Sequence, residues 1–505
     1  MLASVLSATL DGLDALAVSV EVDVGPGLPS FAIVGLPDAA VCEARERVRS
    51  AIRNSGFDLP PRRVVVNLAP ADRRKEGPAF DLPIALALLV ATGQIAPDAV
   101  TGYLALGELA LDGTLRPVPG ALAAAEAARG LGARGVLVPA ANAREAAVLE
   151  EVTVYGLGAL RGAVEHLAGR APLAPVPAAR DDPPPAGAPY PDLADVRGQP
   201  AARRALEVAA AGGLNLLLVG PPGVGKTMLA RRLPGLLPPL ALEDALEVTK
   251  IYSAAGRLPP HAGLRWHRPF RSPHHTASAA AVIGGAGRPG EVTLAHRGIL
   301  FLDELPEFRR DVLEALRQPL EDGAVVVARS HGTVRYPAAC TLVAAMNPCP
   351  CGYRGDPRRP CTCTPAQVQR YLARLSGPLL DRIDLHVEVP RPAAGGALGG
   401  KEPEPSAAVR ARVLAATTRA AQRRAAWNDH PPPRGTEAWW PADRSALALV
   451  RAAADRLMLG ARATNRVLRA ARAIADLDGA QAVTASHVAE AVRYRVLDRP
   501  AALDA

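Results

Sequence analysis

The chain has 505 residues, 49% apolar and 21% charged, with a net charge of +8: ordinary globular composition and room for about three domains. Its longest apolar stretch, Leu82–Ala91, carries Pro83 and is too short to cross a bilayer, which excludes a helical membrane protein. No basic, apolar and small-residue leader opens the chain, so a cytoplasmic location is expected.

Nearly all the positive charge is Arg; the lysines are Lys75, Lys226, Lys250 and Lys401. A Lys kept in such a chain points to a site that wants a compact ammonium rather than a planar fork. The basic excess suits either a polyanionic partner or a merely solvated surface.

Residues 1–169 read as a mixed α/β domain. Val18, Val20, Val22 and Val24 alternate with the period of a half-buried strand. Asp38–Ser55 is expected to be helical, with Val41, Ala44, Val48 and Ile52 on one face and Gly56 beyond its end. Arg63–Leu68 reads as a strand, Asp81–Thr92 as a buried helix stopped by Gly93, and Asp112–Gly113 as a turn between strands. Residues 170–191 hold eight prolines and read as a semi-rigid linker. A second domain is expected over residues 192–390 and a Pro/Gly connector over 391–405. A helical region, 406–505, follows, with helices at Ser406–Trp427, Asp443–Leu459, Arg462–Asp476 and Ser486–Leu497 and a break at Gly460.

Within the second domain, the apolar run Leu216–Val219 leads straight into Gly220-Pro221-Pro222-Gly223-Val224-Gly225-Lys226-Thr227 and then a helical pattern. Strand, glycine-rich loop and helix form the context a phosphate-binding loop requires. Its backbone N–H groups turn onto phosphate oxygens, Lys226 reaches the β- and γ-phosphates, and the Thr227 hydroxyl ligates Mg²⁺. Ile299–Leu302 is a buried strand ending in Asp303-Glu304: the first acid suits the Mg²⁺ shell and the second polarises the attacking water. Thr341–Met346 is a further strand, and Asn347 at its tip can orient that water. Arg382, in Leu379-Leu-Asp-Arg-Ile-Asp384, either pairs with its own acids or serves as an arginine finger in a neighbouring subunit.

Four of the six cysteines, Cys349, Cys351, Cys361 and Cys363, form a Cys-x-Cys, nine residues, Cys-x-Cys pattern. Thiolates paired at both ends of a short loop can close a tetrahedral structural Zn²⁺ site; the alternative is four reduced, unliganded thiols. His274 and His275 could also ligate metal, although a structural or interface role suits them better.

These motifs together resemble the AAA+ ATPases of the magnesium-chelatase branch, most closely the YifB/ComM group, over essentially the whole chain. The segments that carry the resemblance are Pro269-Phe-Arg-Ser-Pro-His-His-Thr276, Ala295–Glu304, Asn347-Pro-Cys-Pro-Cys-Gly352 and Ser376–Asp384. The resemblance implies a P-loop AAA+ module, a parallel sheet with helices and a C-terminal helical lid, preceded by a Lon-protease-like α/β domain. It also implies ATP and Mg²⁺ as cofactors, Asn347 as sensor 1, Arg382 as the finger and Arg462 as the lid's sensor 2. Gly460 stands where the family usually has Ser, which leaves Arg466 a rival to Arg462. Lys75-Glu-Gly-Pro-Ala-Phe-Asp81 is similar to the segment bearing the Lon nucleophile, but Ala79 takes the Ser position, and Val118–Ala124 has no Lys. No peptidase chemistry is expected without the dyad.

By the same resemblance the protein is expected to be a homo-hexameric motor driving branch migration of single-stranded or branched DNA, working alongside recombination proteins. Residues 401–505 carry seventeen Lys/Arg against eleven Asp/Glu, a modest excess that suits a phosphate backbone. Ala324–Arg329 and Thr333–Tyr336 read as a hairpin. Related motors touch DNA there, which makes Arg329, His331 and Arg335 candidates, with a solvated hairpin as the plain alternative. Its rivals are a chelatase-type motor remodelling a protein partner, a peptidase-coupled unfoldase and a non-catalytic scaffold.

Overall fold

The computed structural model describes residues 2–178, 189–285, 287–329, 332–391, 403–429, 441–495 and 497. The chain begins with an antiparallel ribbon, β1 (Leu2–Asp11) and β2 (Asp14–Gly25), paired from Leu2↔Asp23 to Asp11↔Asp14. Gly12 takes φ +72° in the turn, the left-handed conformation such a tight hairpin needs. β3 (Ser30–Val34), β4 (Arg63–Ala69), β5 (Tyr103–Ala105), β6 (Gly135–Pro139) and β7 (Val154–Leu157) complete a seven-stranded sheet in the order β3-β4-β2-β1-β5-β6-β7.

The alternating valines of β2 do face the core: Val18, Val20 and Val22 are essentially inaccessible. In the same apolar core lies the helix Ala39–Asn54, N-capped by Asp38 through a 2.8 Å bond from the Val41 N–H, with its expected apolar face buried. Asp81–Ala91 is buried on every side, as a continuous apolar run demands. Its one charge, Asp81, accepts from Arg47 Nε at 2.7 Å and from Arg47 Nη2 at 3.0 Å. The two-strand ribbon Glu108–Leu109/Leu115–Arg116 closes around the expected turn at Gly113.

The second sheet is wholly parallel: β9 (Phe270–Arg271), β10 (Ile299–Leu302), β13 (Thr341–Met346), β8 (Leu216–Val219) and β14 (Leu385–Glu388), in that spatial order. Every residue of β8 and β10 is buried, the pattern of strands covered on both faces. An antiparallel hairpin, β11 (Ala324–Arg329) with β12 (Gly332–Pro337), stands outside this sheet.

Four helices follow, Ser406–Asp429, Arg444–Leu457, Ala461–Leu477 and Ala485–Arg493, within a residue or two of expectation except that the last ends four residues early. The break lies at Met458, which adopts φ +51°, and Gly460 becomes the N-cap of the next helix. This helical part shares one apolar core with the sheet: Val467, Leu468 and Ile474 pack with Leu206, Leu216 and Leu385. The chain is thus mixed α/β with a parallel-strand sheet and a helical C-terminal part.

The two α/β parts touch. Lys250, on helix Leu242–Ala254, bonds Asp14 and Glu126, each at 2.6 Å, and the Gly120 N–H donates to Ser253 O at 3.0 Å. Of the expected linker, residues 170–178 run along the first sheet, with Val176 N–H on Val154 O at 2.8 Å; residues 179–188 lie outside the described residues. At its far end Asp192 and Leu193 bond the first turn of the Ser406 helix. Most of the expected connector, 392–402, also lies outside the described residues. Among the described residues, no helix is long and apolar enough to cross a membrane.

Candidate functional site

Parallel pairing puts the ends of three neighbouring strands side by side. Val219 of β8 lies beside Met346 of β13, and Leu302 of β10 beside Ala344. The next residues, Gly220, Asn347 and Asp303, therefore share the carboxyl edge of the sheet, where open α/β folds bind ligands. Gly223 and Gly225 turn the loop with φ of +78° and +92°. A Cβ at Gly220 would lie 2.2 Å from Val389 O, so only glycine fits there.

Lys226 and Thr227 open the helix Lys226–Ala230. Lys226 Nζ is buried and donates to Gly220 O at 2.6 Å, Pro221 O at 2.9 Å and Asn347 Oδ1 at 3.1 Å. Burial pulls its ammonium down to about 8, against the opposing pull of Asp303 and Glu304. Thr227 Oγ1 donates to Asp303 Oδ2 at 2.8 Å, and the Glu304 N–H donates to Asp303 Oδ1 at 2.9 Å. An ammonium, a hydroxyl–carboxylate pair, a second carboxylate and an amide thus converge at one loop. That donor set fits a triphosphate with a hard divalent cation.

One contact escaped the sequence. Glu304, at φ +53°, points its carboxylate at His275, with Oε2 3.1 Å from Nδ1. The adjacent His-His in a loop carries no spacing signal for such a pairing; only the neighbouring of β9 and β10 creates it.

Arg382 and Arg462 are not brought to this loop. Asn215 Nδ2 bonds Arg382 O at 2.9 Å, and Asn215 precedes β8, so Arg382 stands at the opposite edge of the sheet. Four strand residues separate the edges, about 13 Å. There the buried Arg382 guanidinium pairs with Glu321, holding that carboxyl below its usual range, and donates to Pro378 O at 2.7 Å. Arg462 is exposed, 3.8 Å from the same Glu321. Arg466 bonds Asp384 at 2.7 Å, on that same edge.

The four cysteines do come together. Their sulfur atoms all lie within 4.8 Å of one another, with Cys349–Cys351 at 3.4 Å, Cys351–Cys361 at 3.5 Å and Cys349–Cys361 at 3.6 Å. Four thiols at such spacing fit a closed tetrahedral Zn²⁺ site. The loop also meets the phosphate loop: a Cβ at Gly352 would lie 2.9 Å from Pro222 Cδ.

Of the hairpin candidates, Arg335 is exposed on β12, the Arg329 backbone pairs with Gly332 beside the tip, and His331 lies outside the described residues. The hairpin rests on the first domain, with Val334 over Gly12 and Arg335 sharing a cavity of about 420 Å³ with Asp11, Asp14 and Lys250. A larger cavity of about 930 Å³ between the domains is lined by Ala79, Gly120, Ala124 and Thr333. The two segments expected to lack a Ser–Lys dyad face one another across it, and its walls carry no Lys among the described residues.

A phosphate loop, an acid pair and an amide on the carboxyl edge of a parallel sheet, followed by a helical part, define an AAA+ ATPase. Residues 192–396 match the family described as magnesium chelatase, subunit ChlI; residues 20–142 match subunit ChlI of Mg-chelatase, and 403–495 its C-terminal part. The protein YifB of Salmonella typhimurium is 45% identical over 493 residues, covering 97% of this chain and 96% of that one. YifB of Escherichia coli is 45% identical over 506 residues, with 97% and 96% covered. Competence protein ComM of Haemophilus influenzae is 42% identical over 508 residues, 99% of this chain and 98% of its own. The chain belongs to the YifB/ComM family of magnesium-chelatase-like AAA+ proteins.

Proposed function

We propose that this chain is an ATP-driven ring motor that moves branched or single-stranded DNA. The observation that carries the ATPase half is the convergence of Lys226, Thr227, Asp303, Glu304 and Asn347 on one loop. In this reading the residues Gly220–Thr227 hold the phosphates, Thr227 and Asp303 hold Mg²⁺, Glu304 polarises water and Asn347 orients it. Mg²⁺, when bound, neutralises charge on the β- and γ-phosphates. Arg382 and Arg462 stand too far from their own phosphate loop to serve it. They would complete the site of a neighbouring copy, which supports a ring, with a homo-hexamer as the expected size. A Zn²⁺ on Cys349, Cys351, Cys361 and Cys363 would brace the loop beside Asn347 and Pro222.

The DNA half rests on the 42% identity to a competence protein and on the exposed Arg335 of the β11–β12 hairpin, with Arg329 as its companion. The test is ATPase rate with no DNA, with single-stranded, duplex and four-way-junction DNA. Stimulation strongest with branched or single-stranded DNA is expected. In Arg329→Ala/Arg335→Ala, basal ATPase should hold while stimulation falls and the log–log salt slope of binding flattens by at most about two units. Wild-type protein that fails to bind any of these DNAs with ATP at low salt would turn the reading to a chelatase-type motor acting on a protein partner.

A further inference from the structure

Three parts of the molecule meet at Glu321. This acid lies near the end of the helix Arg317–Asp322, which Gly323 stops with φ +63°. Ala324 then opens β11, and the Ala338 N–H donates to Gly323 O at 2.7 Å, closing the base of the hairpin beside the acid. Leu320 packs in one apolar core with Val325 of β11 and Val334 of β12, so the helix end and the hairpin move as one body.

The two oxygens of the Glu321 carboxylate take different arginines. Oε2 accepts from Arg382 Nη2, and Oε1 forms an ion pair with Arg462 Nη2 at 3.8 Å. Arg382 belongs to the sheet part, just past the short helix Gly377–Leu380, whereas Arg462 stands in the first turn of the helix Ala461–Leu477. The two are held unequally. The Arg382 side chain is 8% exposed and engaged at all three nitrogens, with Nε on Arg317 O at 3.1 Å and Nη1 on Pro378 O at 2.7 Å. The Arg462 side chain is 66% exposed, and Glu321 is its one ion-pair partner among the described residues. Arg382 above all, with Arg462 and Arg317 adding to it, holds the Glu321 carboxyl below its usual range, so the bridge is charged at neutral pH.

We propose that Glu321 is a positioning residue: it joins Arg382 to Arg462, so that one copy presents both guanidinium groups, in fixed relation, to the nucleotide phosphates held by its neighbour. The inference rests on the reading that these two arginines serve a neighbouring copy. An exposed Arg loses rotamer freedom when it engages a ligand, and a fixed counter-charge removes part of that loss beforehand. Each guanidinium has five N–H groups, so those given to Glu321 leave others for phosphate oxygens. Because the acid stands at the base of the hairpin, a ligand that shifts the hairpin also shifts the pair of arginines.

The experiment measures steady-state ATPase of Glu321→Gln, alone and mixed with Lys226→Ala. Misplaced catalytic groups imply that kcat falls by roughly tenfold to a hundredfold, with little change in KM for ATP. Mixing with Lys226→Ala should restore part of the rate, because that copy brings an intact Glu321 to the sound phosphate loop of its neighbour. Mixing with Arg382→Ala should restore nothing, since both copies then lack the same half. Glu321→Gln added to Arg462→Ala should cost little more than Arg462→Ala alone. Glu321→Asp keeps the charge beside Arg382 and with it the fold, while its shorter reach loses Arg462; it should show the same restorable loss even if the Gln variant folds poorly. Wild-type kcat in both Glu321 variants overturns the proposal. So does a loss in Glu321→Asp that Lys226→Ala leaves unrestored while restoring Arg382→Ala, because Glu321 then serves its own copy. If Lys226→Ala restores neither Arg382→Ala nor the Glu321 variants, the reading of arginines acting on a neighbour has failed and the proposal falls with it.

Discussion

In the proposed function nucleotide binding turns on Lys226, because its ammonium is the one point charge the Gly220–Thr227 loop supplies. It is already desolvated and bonded to three oxygens, so a phosphate replaces neutral partners with charged ones at little further desolvation cost. Lys226→Ala is expected to abolish ATP binding in an equilibrium assay. Glu304→Gln should bind ATP normally and lose kcat by about 10²–10⁴, the range for removing a general base. Normal turnover in Glu304→Gln would strip that residue of its role.

A second residue, Glu145, gives the fold a pH dependence. It is buried, accepts from Asn142 Nδ2 at 2.7 Å, and burial pushes its carboxyl up to about 7 from an ordinary 4.5. The folded chain therefore holds a proton that the unfolded chain has lost, and the sign follows. The stabilisation by the neutral acid is complete below the unfolded value and fades as pH rises through the interval to about 7, by on the order of 3 kcal/mol. Glu145→Gln cannot ionise, so its urea midpoint should match wild type near about pH 4.5 and exceed it above about pH 7. Parallel pH profiles for the two proteins would show that Glu145 stays ionised in the fold.

At the scale of elements, the loop after β13 decides how Asn347 is held. It has no regular structure between Asn347 and the helix Pro365–Leu372, whose Thr364 forms a capping box with Gln367. Four thiols drawn together give such a loop a covalent framework once a metal binds. Purified, unoxidised protein should carry about one Zn²⁺ per chain. Cys349→Ser/Cys351→Ser should release it, lower the melting temperature and raise KM for ATP, because Gly352 packs on Pro222. Metal analysis without zinc would leave the cluster as four free thiols. The helical part was legible for a related reason: helix periodicity and Ala/Arg content are local, and its first three boundaries came out within two residues. The final helix stops at Arg493 rather than Leu497 because Tyr494 and Arg495 turn toward β14, where Tyr494 O accepts from the His386 N–H. That is a tertiary contact no periodicity announces.

For the whole molecule, the proposed function divides its chemistry between the two edges of the parallel sheet. The phosphate loop, Asp303, Glu304 and Asn347 lie on one edge, and Arg382, Arg462 and Arg466 on the other. Mixing Arg382→Ala with Lys226→Ala should therefore restore part of the ATPase activity that each lacks, since some interfaces join a sound loop to a sound arginine. Mixed rings shown to assemble yet remaining inactive would argue that Arg382 serves its own subunit, through its bond to Glu321.

The sequence by itself determined what depends on near neighbours along the chain. Gly220–Thr227 after an apolar strand, Asp303-Glu304 after another, the alternating valines of β2 and the helix faces are patterns of a few residues. Their physical causes, backbone turning and one-sided burial, act over that same range. The cysteine pairs were equally visible as spacing, though that their four sulfur atoms come within 4.8 Å took the folded loop to decide. Only the tertiary structure joined residues far apart in the chain. It set Glu304 against His275, Arg382 against Glu321 on the edge away from the phosphates, the hairpin's Val334 over Gly12, and Lys250 between Asp14 and Glu126. Each is fixed by strand order or domain docking, which minimise exposed apolar surface over the whole chain and so leave no mark at any one position.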